Sequence, residues 1–387
     1  MTVKVNQATV DQALDLIHYA FQFEVNEKNH RRVTHLMDHS THYGSFDEDK
    51  LISQVIATPF KVQFFNQLFD MMGIGFVSSD PSYRGEGHIN RLMEQFLKDC
   101  KENGVLFSYL APFSYPFYRR YGYELAFERI AYRLSSQEWP DSPKVPGYVR
   151  KKEWLDAKAD IATVYAASDK NKHGGVQRED WWYEYNNQIR REPFFAIYYN
   201  ESGEAEGYLI YLIKDGILTC LEWTYLTANA YHGLNRYLFS HKDSMSEFHY
   251  EVGYDKQSNF FIPPAPMMKA TVRPEMMARI VDIEAFLKQY PLENLDQSFA
   301  IVIEEDKFAT WNEGIFELDA TTKEVRKVTH TDLPQLKTSV QRLTQLLLGY
   351  LPLKELMFFN YMEVPAEIIA TVEKIVPTQV PILEDYF

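Results

Sequence analysis

Residues 74–100 read IGFVSSDPSYRGEGHINRLMEQFLKDC, and the fold turns on the middle of that stretch, YRGEGHIN. Past it, Ile89, Leu92, Met93, Phe96, Leu97 and Cys100 recur at i, i+3, i+4, i+7, i+8 and i+11, while Asn90, Arg91, Glu94, Gln95, Lys98 and Asp99 fall on the other side. That spacing predicts an amphipathic helix. Ahead of it, Ile74 to Ser79 reads as a strand, closed by Asp80-Pro81 because proline cannot donate to a ladder. The turn between has two readings. It is an ordinary strand-to-helix connection with Arg84 solvated, or it is an anion cradle. In the second reading the helix N-terminus offers N–H groups and Gly85 and Gly87 let backbone approach phosphate oxygens. A P-loop would need Lys-Ser/Thr after the glycines, and a dinucleotide fingerprint would need a third glycine where Asn90 stands.

The whole chain sets wider limits. At 387 residues it should divide into two or three domains of roughly 100–200 residues each. Hydrophobic residues make up 45% and aromatics 15%, enough for large cores. With 54 acidic against 40 basic side chains the net charge is −14, which disfavours a nucleic-acid scaffold and suits cationic partners such as amines as well as plain solubility. Two cysteines, Cys100 and Cys220, build no disulfide framework and fit a reducing cytosol. The opening MTVKVNQATVDQ lacks the basic and apolar regions of a signal peptide. No stretch approaches about 18 apolar residues. A soluble, cytoplasmic protein with no membrane partner is expected.

Val3 and Val5 suggest a first strand, and Thr9 with Gln12 a capping box for a helix. Residues 51–57, 60–69, 105–112 and 130–134 read as strands, so an α/β layer fills residues 1–145. The three prolines of SQEWPDSPKVPGY (136–148) mark a linker. The layout then repeats. YLIYLI (208–213) and ILTCLEWTYL (217–226) read as strands and AYHGLNRYLF (230–239) as turn plus helix. Laying INRLM (89–93) on LNRYL (234–238) puts Asn229 at the place of Arg84 and His232 at that of Gly87, so the second copy, 146–285, has lost its cradle. A third α+β unit, 286–387, has strands at 299–305 and 314–320 and a helix over 331–351 carrying Leu336, Val340, Leu343, Leu347 and Leu348. His35, His39 and His42 share a helical spacing, read as a polar helix face with no metal.

SYPFYRRYGYELAFERIAYRL follows the strand after the quoted helix. Together, FVSSDPSYRGEG (76–87) and FYRRYGY (117–123) resemble the paired motifs of the Eis-like acetyltransferases, a branch of the GNAT superfamily of acetyl-CoA-dependent N-acetyltransferases. The general signature has a small residue where Ile89 stands, but the branch commonly carries a bulky aliphatic there. The resemblance implies tandem GNAT-fold domains, the second degenerate, and a C-terminal sterol-carrier-like α+β domain. It implies acetyl-CoA as co-substrate, no metal, an amine acceptor and a homohexamer.

Carried over position by position, it implies that Phe76, Val77 and Ser79 lie along the pantetheine arm. Arg84, Gly85, Gly87 and Ile89 would hold the pyrophosphate, and Tyr118 would be the general acid. Residues alone do not choose among Tyr115, Tyr118, Tyr121 and Tyr123; the motif register selects Tyr118. The chain ends PILEDYF, and family members end in a Phe whose α-carboxylate is the general base, which implies Phe387. Tyr386 replaces the Glu of better-known members. Glu24, Glu384 and Asp385 are expected to draw a cationic acceptor. Two other classes stand beside the enzyme: a lipid- or small-molecule-binding protein, and an acetyl-CoA sensor without transfer.

Overall fold

The computed structural model describes residues 2–3, 7–22, 24, 26–254 and 268–387. Val5 lies outside them. Two compact units result: residues 1–126, 275–381 and 386–387 form the first, and 127–274 with 382–385 the second. No helix among the described residues is long and apolar enough to cross a membrane.

In the first unit β1 (Thr2–Val3), α1 (Gln7–Phe21), α2 (Glu27–Asp38), β2 (Thr41–Asp47), β3 (Lys50–Phe64) and β4 (Gln67–Ser79) precede α3 (His88–Glu102), β5 (Phe107–Leu110), α4 (Tyr115–Arg119) and the start of β6 (Glu124–Ser135). Strands β1 to β4 pair antiparallel in sequence order, and β5 adds to β4 in parallel. The predicted stripe of α3 is its buried face, with Leu92, Met93, Phe96, Leu97 and Cys100 against Val55, Ala57 and Ile74 of the sheet.

Several local expectations are corrected. Residues 60–69 are not one strand. Phe65 and Asn66 take φ of 53° and 58° and turn β3 into β4, as a two-residue hairpin with the sheet's twist requires. Thr9 lies inside α1 rather than capping it. His42 is not on a helix, because α2 ends at Asp38; it sits in β2, bonded to Gln54 at 3.0 Å.

The second unit contains the rest of β6, β7 (Tyr148–Lys152), α5 (Trp154–Ala167), β8 (Val176–Gln177), α6 (Asp180–Glu184), β9 (Phe194–Tyr199), β10 (Ala205–Lys214), β11 (Ile217–Tyr225), α7 (Ala228–Phe239) and β12 (Glu247–Gly253). Its sheet runs β6-β12-β11-β10-β9-β7, with β11 and β12 parallel as β4 and β5 are. The proline-rich stretch is no free linker. Trp139 is buried and donates to Asn235 of α7 at 2.8 Å, and Asn235 donates to the Pro140 carbonyl.

Strand β13 (Lys269–Ile280) returns to pair with β5 through Met277–Ile280. Then come α8 (Ile283–Leu287), β14 (Phe299–Ile303), β15 (Gly314–Leu318), β16 (Val325–Val328), β17 (Gln335–Thr338), α9 (Val340–Leu347), α10 (Leu353–Phe358), β18 (Met362–Glu363) and α11 (Ile369–Ile375), with the sheet ordered β16-β15-β14-β17-β18. The helix expected over 331–351 begins only at Val340. Leu336 is in β17 beside Ile301, and Ser339 caps α9 by accepting from Arg342 N–H.

Candidate active site

Strand β4 prepares the site by leaving its neighbours. β5 pairs with it over Met71–Ile74 and stops at Leu110, so from Gly75 onward β4 has no ladder partner on that side. On the other side the register with β3 slips between Gln54↔Ser78 and Ile56↔Gly75, a bulge at Phe76 and Val77. Phe76 takes φ +51°, a left-handed conformation unusual for an aromatic residue, and its ring meets Phe21 of α1 edge-on. The bulge bends β4, and the Phe76 carbonyl accepts from the Ser78 hydroxyl at 3.3 Å. The Ser79 hydroxyl is tied to Ser53 at 2.8 Å, so Ser79 offers its backbone rather than its side chain.

The turn after β4 is braced from below. Asp80 accepts from Ser82 N–H at 2.9 Å and pairs with Lys50 at 2.6 Å, and that lysine holds the Asp80 carboxyl below its usual range. Tyr83 donates to Asp47. Arg84 follows, exposed; its backbone N–H donates to the Pro81 carbonyl at 3.3 Å, and its side chain has no hydrogen bond or ion pair among the described residues. Gly85 and Gly87 take φ of +91° and +79°, and no atom lies within 4 Å of where a Gly85 Cβ would stand. Both positions need glycine for the turn. The first backbone bond of α3 runs from Arg91 N–H to Gly87 O, which leaves the N–H groups of His88, Ile89 and Asn90 without helical partners. These groups open on a cavity of about 610 Å³, bounded also by Phe21, Val77, Phe117 and Arg120. Of the arginine pair, only Arg120 lines that cavity; Arg119 is engaged by Glu124 at 2.9 Å.

The tyrosines separate clearly. Tyr121 donates to Asn90 at 2.5 Å and Tyr123 to Ser108 at 2.7 Å. Tyr118 is buried against the rings of Phe113 and Phe117, and its hydroxyl has no hydrogen-bond partner among the described residues. Burial pushes its pKa well up, so the group is a neutral O–H through the physiological range.

The last residue is seated rather than frayed. The Phe387 ring lies 5.1 Å from that of Phe60 and directly over Gly73, where a Cβ would come within 2.5 Å of a ring carbon. Its carboxyl carbon is 3.8 Å from where a Gly75 Cβ would be. Gly73 and Gly75 were missed in the sequence, although glycine inside a strand marks a place where another chain segment comes close. The carboxylate therefore stands at the point where β4 leaves β5, two residues from cavity-lining Val77.

The three expected acceptor carboxylates separate. Glu24 is exposed between α1 and α2 and accepts from Asn26. Glu384 and Asp385 are corrections: both are buried in the second unit and closed off by cations. Lys170 lies 3.3 Å and Arg129 3.7 Å from Glu384, while Arg178 lies 2.9 Å from Asp385. Carboxylates so neutralised do not project negative potential toward an acceptor. In the second unit the place of the cradle is filled by helix. α7 begins at Ala228 with Thr227 as its cap, so Asn229 and His232 lie within it where the first copy has its open turn.

Comparison with known proteins adds three domain matches. Residues 3–126 and 174–280 each match an acetyltransferase (GNAT) domain, and 283–384 match a sterol carrier protein domain. A crystal structure from Enterococcus faecalis, described as a conserved protein of unknown function and probable N-acyltransferase, is 38% identical; the likeness covers 100% of this chain and 99% of that one, at a TM-score of 0.93. Eis1 from Mycobacterium abscessus shares the fold at 16% identity, with 99% of each chain covered and a TM-score of 0.79. An uncharacterized N-acetyltransferase from Streptomyces avermitilis is 26% identical over 155 residues; the match spans 37% of each chain.

Proposed function

Because the chain belongs to the Eis-like N-acetyltransferases of the GNAT superfamily, we propose that it moves the acetyl group of acetyl-CoA onto a cationic primary amine by direct attack. The observation that carries this reading is the turn at the head of α3. An unpaired Arg84, two left-handed glycines and three unpartnered helix N–H groups face one cavity, and that set fits a pyrophosphate. Phe76, Val77 and Ser79 on the bulged strand would flank the pantetheine arm, and Ile89 at the helix mouth would help hold the pyrophosphate. When bound, the thioester supplies the activated acyl group; the protein's part is to place it and to move protons.

The ammonium form first loses one proton to solvent, and the neutral amine's lone pair forms the C–N bond as the C–S bond breaks. The α-carboxylate of Phe387, with an ordinary pKa of about 3.3–3.7, is ionised at neutral pH; it accepts the nitrogen's second proton, directly or through water, and passes it to solvent. Tyr118 donates its proton to the departing thiolate and is reprotonated from solvent. A covalent acyl-enzyme on sulfur is disfavoured, since Cys100 and Cys220 are buried and burial pushes both thiols far up. Glu24, the exposed member of the expected acceptor carboxylates, would meet the cationic acceptor, whether an aminoglycoside-like polyamine, a lysine side chain or a small amine. Family resemblance further supports a cytoplasmic homohexamer, which light scattering on the purified chain tests. The decisive functional experiment is release of free thiol from acetyl-CoA across a panel of amines. Thiol release that no amine accelerates would overturn the proposal.

A further inference from the structure

The tail that delivers Phe387 is gripped just before its end, and the grip is built from buried charge. Ile382 N–H donates to the His173 carbonyl at 2.9 Å. Arg129 donates to the main-chain carbonyls of Leu383 and Glu384 at 3.4 and 3.2 Å. The Glu384 side chain meets Lys170 and Arg129, and accepts from Gly253 N–H at 3.3 Å. Burial alone would raise its pKa, but the two cations outweigh burial and hold it below the usual range. Asp385 receives Arg178 Nε on both oxygens, at 2.9 and 3.2 Å, and Trp182 Nε1 at 2.7 Å. Arg178 Nη1 donates in turn to both Glu222 oxygens, at 3.0 and 2.9 Å, and the guanidinium lies 3.9 Å over the Tyr165 ring.

A chain end normally frays, and burying charge is costly unless every group is partnered. Here two consecutive carboxylates occupy two different cation sockets. The two neighbouring side chains meet different partners, Lys170 and Arg129 on one and Arg178 and Trp182 on the other, so together they fix both the position and the rotation of the segment they hold. Only two residues remain beyond Asp385, and two residues reach at most about 7 Å. The terminal carboxylate is thereby confined by bonds it does not itself make.

We infer that Glu384 and Asp385 are positioning residues, a two-point clamp on the chain that limits where the two residues after them can reach. This rests on the reading of Phe387 as general base.

The test uses the full chain with Glu384→Gln and Asp385→Asn, singly and together. Each change removes charge yet keeps the side chain's shape, and Arg178 retains Glu222, so the fold is expected to survive; the melting curve checks this. A carboxypeptidase is applied and loss of Phe387 followed by intact mass, a readout independent of catalysis. The clamp predicts that the double variant is trimmed at least tenfold faster than wild type. It also predicts that kcat falls at least tenfold while acetyl-CoA affinity is unchanged. Equal trimming overturns the clamp, and faster trimming with unchanged kcat overturns its positioning role. A chain extended by two residues past Phe387 tests the base itself: full turnover there refutes the general base and leaves the clamp to be judged on trimming.

Discussion

Replacing Gly73 by alanine adds one methyl group to a strand and should unseat the proposed general base, more than 300 residues away in sequence. The new Cβ would lie 2.5 and 2.6 Å from two ring carbons of Phe387, contacts that packed side chains do not make. Either β4 shifts or the ring leaves. Overpacking of this kind costs about 1–3 kcal/mol. At roughly 1.4 kcal/mol per factor of ten, the seated population then falls by about 5–150-fold. A general base contributes about 10²–10⁴-fold, so most of that loss is visible in turnover before other catalysis hides it. The expected result is a kcat reduced on the order of 10–100-fold, with acetyl-CoA affinity intact because the cradle lies beyond Ser79. Gly75→Ala is the matched control. Its Cβ would stand 3.8 Å from the Phe387 carboxyl carbon, an ordinary contact, and turnover should stay within about threefold of wild type. Thiol release at saturating amine measures kcat, and calorimetry measures cofactor binding. A Gly73→Ala enzyme that turns over at the wild-type rate refutes the assignment of Phe387 to this seat.

Arg84→Ala removes a charge-assisted contact worth about 1.5–3 kcal/mol and should weaken acetyl-CoA binding roughly 10–100-fold by calorimetry. The melting temperature should not move, since Arg84 is exposed. Tyr118→Phe keeps the ring and deletes the proton donor, so kcat should fall about 10²-fold or more at unchanged cofactor affinity. Because burial raises the Tyr118 pKa, the protonated form that the proposed acid role needs persists as pH rises. A pH–rate profile should therefore show no alkaline loss from this group below about pH 10, the ordinary tyrosine value. Acetyl-CoA should titrate to one site per chain, because α7 occupies the second copy's turn; two equivalent sites would contradict that.

What the sequence revealed and what it hid follow one physical division. The stripe from Ile89 to Cys100 was legible because a helix on a sheet repeats its burial every 3.6 residues, and α3 buries those positions. The turn was legible because left-handed backbone selects glycine, as at Gly85 and Gly87. The hairpin at Phe65-Asn66 was not, because FFNQ carries strand-forming aromatics where a two-residue turn more often has Asn-Gly. Substitution of Asn229 and His232 signalled a lost cradle, but not that α7 starts early enough to fill it.

The tail was read least well, and instructively so. A Glu-Asp pair at a chain end looks like solvated charge, since local sequence contains no cation to meet it. Its partners Arg129, Lys170 and Arg178 lie more than 200 residues upstream, among aromatic residues that give no sign of a socket. Local pattern reports which face of an element is buried, and it is silent on which distant charge will cancel which. At Phe387 that silence coincides with the chemistry. If its carboxylate is the base, as proposed, it depends on Gly73 admitting the ring and on distant cations holding the chain just before it. None of those conditions is local to the residue that benefits.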